Sequence, residues 1–189
     1  MKVYKIGLVG CGRIGTLLEK DKLRGKPCTH AGGFNALSNT KIVAGCDIDR
    51  SRLEAFGRHW GVNHLYEDYL EMLHQEKLDV VCIATWTNLH ASMVMDAARS
   101  GVKAIFCEKP IALNPPDGRQ MVRFCKKRNV PLIINHERRW DSYYQKASQI
   151  IKTGKIGEIR AIVGNALSAK PGKHPTRSHG GGALFHDGT

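Results

Sequence analysis

Residues Gly7–Gly15 read GLVGCGRIG, and the reading of this stretch decides the fold. It overlaps a short apolar run, YKIGLV at 4–9, that reads as a buried strand. Gly10, Gly12 and Gly15 then have the G-x-G-x-x-G spacing. In that pattern the first glycine permits a tight turn, the second lets the backbone approach a pyrophosphate, and the third lets a helix pack close on the strand. Arg13 to about Glu19 reads as the helix that such a turn opens, with its free N–H groups and positive dipole end facing an anion. Three glycines also occur in plain structural turns, so the rest of the chain has to choose between the two readings.

The chain alternates. KIVAGC at 41–46 reads as a second strand, RSRLEAFGRH at 50–59 as helix, HLYED at 64–68 as a short strand and YLEMLHQ at 69–75 as helix. LDVVCIAT at 78–85 is apolar on both faces, as strands covered on both sides are. A helix at 90–101 closes on Gly101, KAIFCE at 103–108 is the next strand, and Asn114 caps a helix with proline in its first turn. VPLIIN at 130–135 completes six strands. Strand–helix alternation of this kind specifies a parallel sheet with helices on both faces. The expectation is a doubly wound α/β sheet of the Rossmann type over residues 1–135, and in that context the glycines read as dinucleotide-binding.

From residue 136 the pattern changes. Residues 141–157 read as one longer helix closing on Gly154, and EIRAIVGNALS at 158–168 alternates like a strand with one wet face. A lone strand needs partners, so residues 136–189 read as the partial start of a second, α+β domain. The chain has 189 residues, enough for one full domain and a fragment.

Composition narrows the functional classes. The net charge is +12, from 29 basic and 17 acidic residues. The basic residues are scattered and no stripe of them interleaves with aromatics, which speaks against a nucleic-acid surface. No stretch approaches the ~20 apolar residues that span a bilayer, and the N-terminus has no signal-peptide core. The six cysteines form no C-x-x-C pair and read as reduced core thiols. A cytoplasmic protein is expected. Cys28 with His30, or His174, His179 and His186, have no regular zinc-ligand spacing, so no metal is expected.

The glycine motif calls for an acidic residue at the end of the second strand. Asp47 stands there, 32 residues beyond Gly15 rather than roughly 20. The excess is a loop containing KPC, after which THAGGFNAL is able to resume the helix. Asp47 would accept from the adenosine ribose hydroxyls and repel a 2′-phosphate, pointing to NAD. Arg50 and Arg52 follow closely and keep NADP as the alternative.

Four segments, GCGRIG, IATWTNLH, FCEKPIALN at 106–114 and HERRW, resemble in order the glucose–fructose oxidoreductase, inositol dehydrogenase and MocA family. The resemblance covers the whole chain. It implies a two-domain NAD(P)-dependent oxidoreductase, roughly twice this length, acting on a sugar, inositol or related polyol and forming homo-oligomers through the second domain. It places Gly10, Gly12, Arg13, Ile14, Gly15, Asp47, Thr85, His90, Glu108 and Lys109 at the cofactor. Lys109 takes the position of the lysine that meets the reacting hydroxyl or carbonyl, and Pro110 follows on a bond that is a candidate for cis. Trp86 and Thr87 depart from the family's proline and asparagine. His136 and Arg138 are candidates for substrate contact.

GGGALFHDGT at 180–189 resembles the family segment that carries a catalytic aspartate and, four residues on, a histidine. His186 fills the aspartate position and Asp187 follows it; the histidine position would be residue 190. His186 and Asp187 are therefore candidates for a catalytic role, with loop residues as the plainer reading. The 189-residue chain is expected to be inactive or weakly active alone. A non-catalytic dinucleotide-binding regulator of the same family is the alternative function.

Overall fold

The computed structural model describes residues 2–163. Within them lie six strands: β1 (Tyr4–Val9), β2 (Thr40–Cys46), β3 (His64–Tyr66), β4 (Val80–Ile83), β5 (Ala104–Glu108) and β6 (Leu132–Asn135). They form one sheet in the order β3-β2-β1-β4-β5-β6. Every pair is parallel. This is the strand order of a doubly wound dinucleotide-binding sheet, as the alternation predicts.

Each parallel connection carries a helix: α1 (His30–Asn35), α2 (Arg50–Trp60), α3 (Tyr69–Gln75), α4 (Thr87–Arg99) and α5 (Pro115–Lys127). The strands are apolar on both sides because both sides are covered. Leu8 and Cys82 pack with Ala31 of α1 and with Leu53 and Phe56 of α2. Their strand neighbours Val9, Val81 and Ile83 face the other way, onto Met72, Val94, Met121 and Cys125 from α3, α4 and α5. Neighbouring residues of one strand thus serve two separate cores, as a period of two requires.

The segment after the glycine turn differs from the expected continuous helix over 13–19. Its first turn closes with Thr16 N–H on Gly12 C=O at 3.0 Å, then loosens into a 3₁₀ turn at Leu17–Lys20. The chain leaves and returns at Thr29, which caps α1 by accepting from Gly32 N–H. His30 N–H and Ala31 N–H then donate to the carbonyls of Ile14 and Gly15, both at 3.0 Å. The helix is therefore split, and α1 docks on the open carbonyls of its first turn. The physical reason is the extra length: the backbone groups of the turn must be satisfied, and the resumed helix does it. The excursion is held by Glu19, which accepts from Cys28 N–H at 3.1 Å and Thr29 Oγ1 at 2.6 Å, and by Lys26 Nζ, which donates to the carbonyls of Leu18 and Asp21.

Beyond β6 a 3₁₀ turn (Glu137–Arg139) leads into α6 (Ser142–Lys152), which buries none of its residues. The strand expected at 158–168 is not formed over 158–163; its remainder lies outside the described residues. Among the described residues no helix is long and apolar enough to cross a membrane.

Candidate cofactor and active site

The strand order reverses between β1 and β4, and ligands of open parallel sheets bind at the carboxyl ends of the strands at such a reversal. The glycine turn sits at this point. Gly10 N–H donates to Cys46 C=O at 2.8 Å, and Ala84 N–H donates to Val9 C=O at 2.7 Å, drawing together the ends of β1, β2 and β4. Gly10 has φ +95°, and a Cβ there would lie 2.6 Å from Ala84 O. A Cβ on Gly15 would overlap the carbonyl oxygen of Gly10. At Gly12, by contrast, nothing stands within 4 Å of where a Cβ would be. The turn is packed tight from below and open above Gly12, which is the shape a pyrophosphate needs. Arg13 is exposed and Ile14 half-buried beside it.

Asp47 follows β2 and is buried. Its carboxylate accepts from Cys11 N–H at 2.8 Å through Oδ2 and from Asp49 N–H at 2.9 Å through Oδ1. It therefore braces the glycine turn directly. An ionised carboxylate has about four acceptor sites, so two remain open to a further donor. Burial and the Asp47 charge together push the Cys11 thiol well above its usual range, keeping it an inert neutral group. Arg50 and Arg52, the candidates for balancing a 2′-phosphate, pair with neighbouring carboxylates. Arg50 pairs with Glu54 and Glu67, both at 3.2 Å, and Arg52 pairs with Asp49 at 3.1 Å.

The other half of the crevice is built from β4, β5 and β6. Thr85 follows β4, and its backbone nitrogen stands 3.2 Å from the position of a Gly10 Cβ. His90, fully buried on α4, places Nδ1 2.8 Å from Pro110 O and Nε2 3.2 Å from Thr85 O. It ties the loop after β4 to the turn after β5. Burial lowers its pKa despite these carbonyls and keeps the ring neutral, so it donates to one of the two carbonyls and not to both. The Lys109–Pro110 peptide is cis. Lys109 is half-buried at the carboxyl end of β5.

Glu108 forms a buried cluster that sequence reading did not anticipate. Its Oε1 lies 2.7 Å from His30 Nε2 and accepts from Asn135 Nδ2 at 2.7 Å; its Oε2 accepts from Lys109 N–H at 3.2 Å. Burial alone would raise the Glu108 pKa, but His30, Asn135 and the Lys109 amide outweigh it and hold the carboxyl below its usual value. For His30 burial pulls down, and the Cys82 thiol and Glu108 carboxylate push further the other way, so the imidazole stays charged. The signal available in the sequence was the resumption of the helix at THAGGFNAL, which puts a histidine on its inward first turn.

His136 follows β6 and is half-buried; Arg138 is exposed and donates to Tyr144 OH at 2.8 Å, toward α6. His136 borders the strand ends, whereas Arg138 is held by α6. His186 and Asp187 lie outside the described residues, as do His174 and His179. Among the described residues no group of three His, Cys, Asp or Glu is placed to hold a metal ion.

Residues 4–136 match the model of an oxidoreductase family with an NAD-binding Rossmann fold, that of glucose–fructose oxidoreductase, inositol dehydrogenase and MocA. The chain belongs to this family. Among curated relatives, the D-apiose dehydrogenase of Paraburkholderia graminis is 37% identical over 157 residues, covering 83% of this chain and 38% of that protein. The myo-inositol 2-dehydrogenase of Thermotoga maritima is 30% identical, covering 84% and 43%. Solved structures agree. The myo-inositol 2-dehydrogenase of Lactobacillus plantarum superposes with TM-score 0.73 at 29% identity, over 84% of this chain and 43% of that one. The scyllo-inositol dehydrogenase of Lactobacillus casei, solved with NAD(H) and scyllo-inositol, has TM-score 0.73 at 26% identity, over 83% and 43%. The chain thus spans about two-fifths of the length of these relatives. The family's cofactor is NAD, and the glycine turn and Asp47 fit it.

Proposed function

We propose that residues 1–135 are the cofactor domain of an NAD-dependent dehydrogenase of a sugar, inositol or related polyol, and that 136–189 begin the domain that completes the substrate pocket. The observation that carries this reading is the position of Lys109. It stands at the carboxyl end of β5, on the far side of the strand-order reversal from Asp47, with its backbone fixed by Glu108 and Pro110. Gly10, Gly12 and Gly15 with the N–H groups of the following turn would hold the pyrophosphate, and Asp47 the adenosine ribose. Thr85, His90 and Glu108 would shape the nicotinamide side. NAD, when bound, supplies the acceptor for the hydride that leaves the alcohol carbon.

The chain's own contribution is positional and electrostatic. An alcohol that loses hydride must also lose its hydroxyl proton, and the oxygen becomes more acidic as the carbon is oxidised. An ammonium at Lys109 stabilises the developing alkoxide. A second group takes the proton; His136, His186 and Asp187 are the candidates on this chain. Homologues named for inositol and D-apiose support a polyol or sugar as substrate. A homo-oligomer is the corresponding proposal for the whole protein.

Titration with NADH followed by nicotinamide fluorescence, and turnover of NAD with myo-inositol, scyllo-inositol and D-apiose, test the reading. Lys109→Ala should bind NADH as the parent does and lose at least ~100-fold of whatever turnover the parent shows. Measurable parent turnover that is unchanged in that variant, or no NADH binding by the parent, overturns the proposal.

A further inference from the structure

The glycine turn and the Glu108–Lys109 turn lie on two different strand ends, yet one side chain connects them. His30 enters through backbone bonds: its N–H donates to Ile14 C=O and the next N–H to Gly15 C=O, both at 3.0 Å. This registers the start of α1 to the glycine turn. Its ring meets the Phe106 ring edge-on at a centroid distance of 5.4 Å and reaches Glu108 Oε1 at 2.7 Å. The same oxygen accepts from Asn135 at the end of β6, and the other oxygen holds the Lys109 amide. Both side chains of the pair are at least nine-tenths buried, with 6% and 10% exposed.

We propose that His30 is a positioning residue for Lys109: together with Asn135 it clamps the Glu108 carboxylate, and the clamped carboxylate fixes the backbone from which Lys109 projects. The inference rests on the reading of Lys109 as the group that meets the substrate. A buried ion pair adds little net stability over an apolar replacement of like volume, so fold stability alone gives a weak reason for a charged pair here. What an apolar residue cannot do is keep Glu108 ionised. A neutral Glu108 would be a weaker acceptor for the Lys109 amide and would leave that turn less fixed. The charged or titratable groups facing the cluster are Cys82 on β4, Cys107 beside Glu108 on β5, and His90 on α4.

Nuclear magnetic resonance of the full chain reads the clamp directly and needs no cofactor. In the parent, both ring nitrogens of His30 should carry protons at neutral pH, and the Lys109 amide resonance should stay flat between about pH 5 and 8. In His30→Leu the Lys109 amide should acquire a titration step in that range as Glu108 takes up a proton. His30→Gln, which keeps a donor without the charge, should show a smaller or more acidic step. Should His30→Leu not fold, His30→Gln and the parent's own ring signals decide. Binding adds a second reading through Glu108, which the proposed mode puts on the nicotinamide side: NADH affinity should fall in the His30 variants, while ADP-ribose, which lacks the nicotinamide, should bind as before. A neutral His30 ring at pH 7, or a Lys109 amide that titrates identically in parent and variants, overturns the proposal. So does parallel weakening of NADH and ADP-ribose, the mark of a merely structural loss. If neither ligand binds the parent, the cofactor reading fails, and the amide titration still decides the clamp.

Discussion

Two buried histidines, 60 residues apart in the sequence, behave oppositely because of what faces them. His30 faces a carboxylate and a thiol and stays charged; His90 faces two carbonyls and stays neutral. The linkage signs follow. A raised His30 contributes fully below its ordinary value of 6.5 and loses that contribution as pH climbs above it. Glu108, lowered from 4.5, contributes fully above that value and loses it as pH falls below. The pair is therefore at full strength between about 4.5 and 6.5. His90, lowered from 6.5, works against folding as pH falls through 6.5, because the unfolded chain takes up the proton more readily. Thermal melts from about pH 5 to 9 on the parent, His30→Gln and His90→Gln check this. The parent's advantage over His30→Gln should shrink as pH rises, and its advantage over His90→Gln should grow. Asp47 braces the glycine turn as well as standing at the end of β2. Asp47→Ala should lose the preference for NADH over NADPH and also cost roughly 2–4 kcal/mol of stability, since the amides of Cys11 and Asp49 both lose a charged acceptor. A denaturant melt beside the two cofactor titrations measures both effects.

Among the elements, the split first helix is where sequence and structure part. The β1 turn was legible because its glycine spacing has a mechanical meaning, with no room for a side chain at Gly10 and Gly15 and open backbone at Gly12, and the strands were legible because two covered faces leave no polar alternation. Asp47 could be found because the motif demands an acid at that strand end, whatever the loop length before it. The break after Thr16 was not legible. LLEK at 17–20 has ordinary helix-forming residues, and what diverts it is a set of loop bonds from Glu19 and Lys26, five to ten residues along the chain, that no helical period encodes. The Glu108 cluster was hidden for the same reason: His30 and Glu108 are 78 residues apart in sequence. The expectation at this scale concerns Thr29, which caps α1 by accepting from Gly32 N–H and also donates to Glu19. Thr29→Ala should cost about 1 kcal/mol and speed amide exchange at His30–Asn35 before the sheet is affected. Exchange that rises evenly across the sheet instead would mean the cap has no local role.

For the molecule as a whole, the order β3-β2-β1-β4-β5-β6 puts the strand-order reversal, the place where ligands of such sheets bind, between the carboxyl ends of β1 and β4. The residues assigned to the cofactor come from the ends of β1, β2, β4 and β5, so a ligand spanning them bridges both halves of the sheet and both cores. A ligand that binds only the folded state stabilises it by mass action, by about 2.7 kcal/mol at a hundredfold excess over its Kd. For a domain of this size each kcal/mol raises Tm by roughly 2–4 °C. NADH at that excess should therefore raise Tm by about 5–11 °C. NADPH at the same concentration should do less, because in the proposed binding mode Asp47 faces the 2′-phosphate while Arg50 and Arg52 pair with Glu54, Glu67 and Asp49. Arg50→Glu should leave the NADH shift in place. Equal shifts with the two cofactors in the parent would show that one of those arginines leaves its partner for the 2′-phosphate, and Arg50→Glu and Arg52→Glu, melted with NADPH, would identify which.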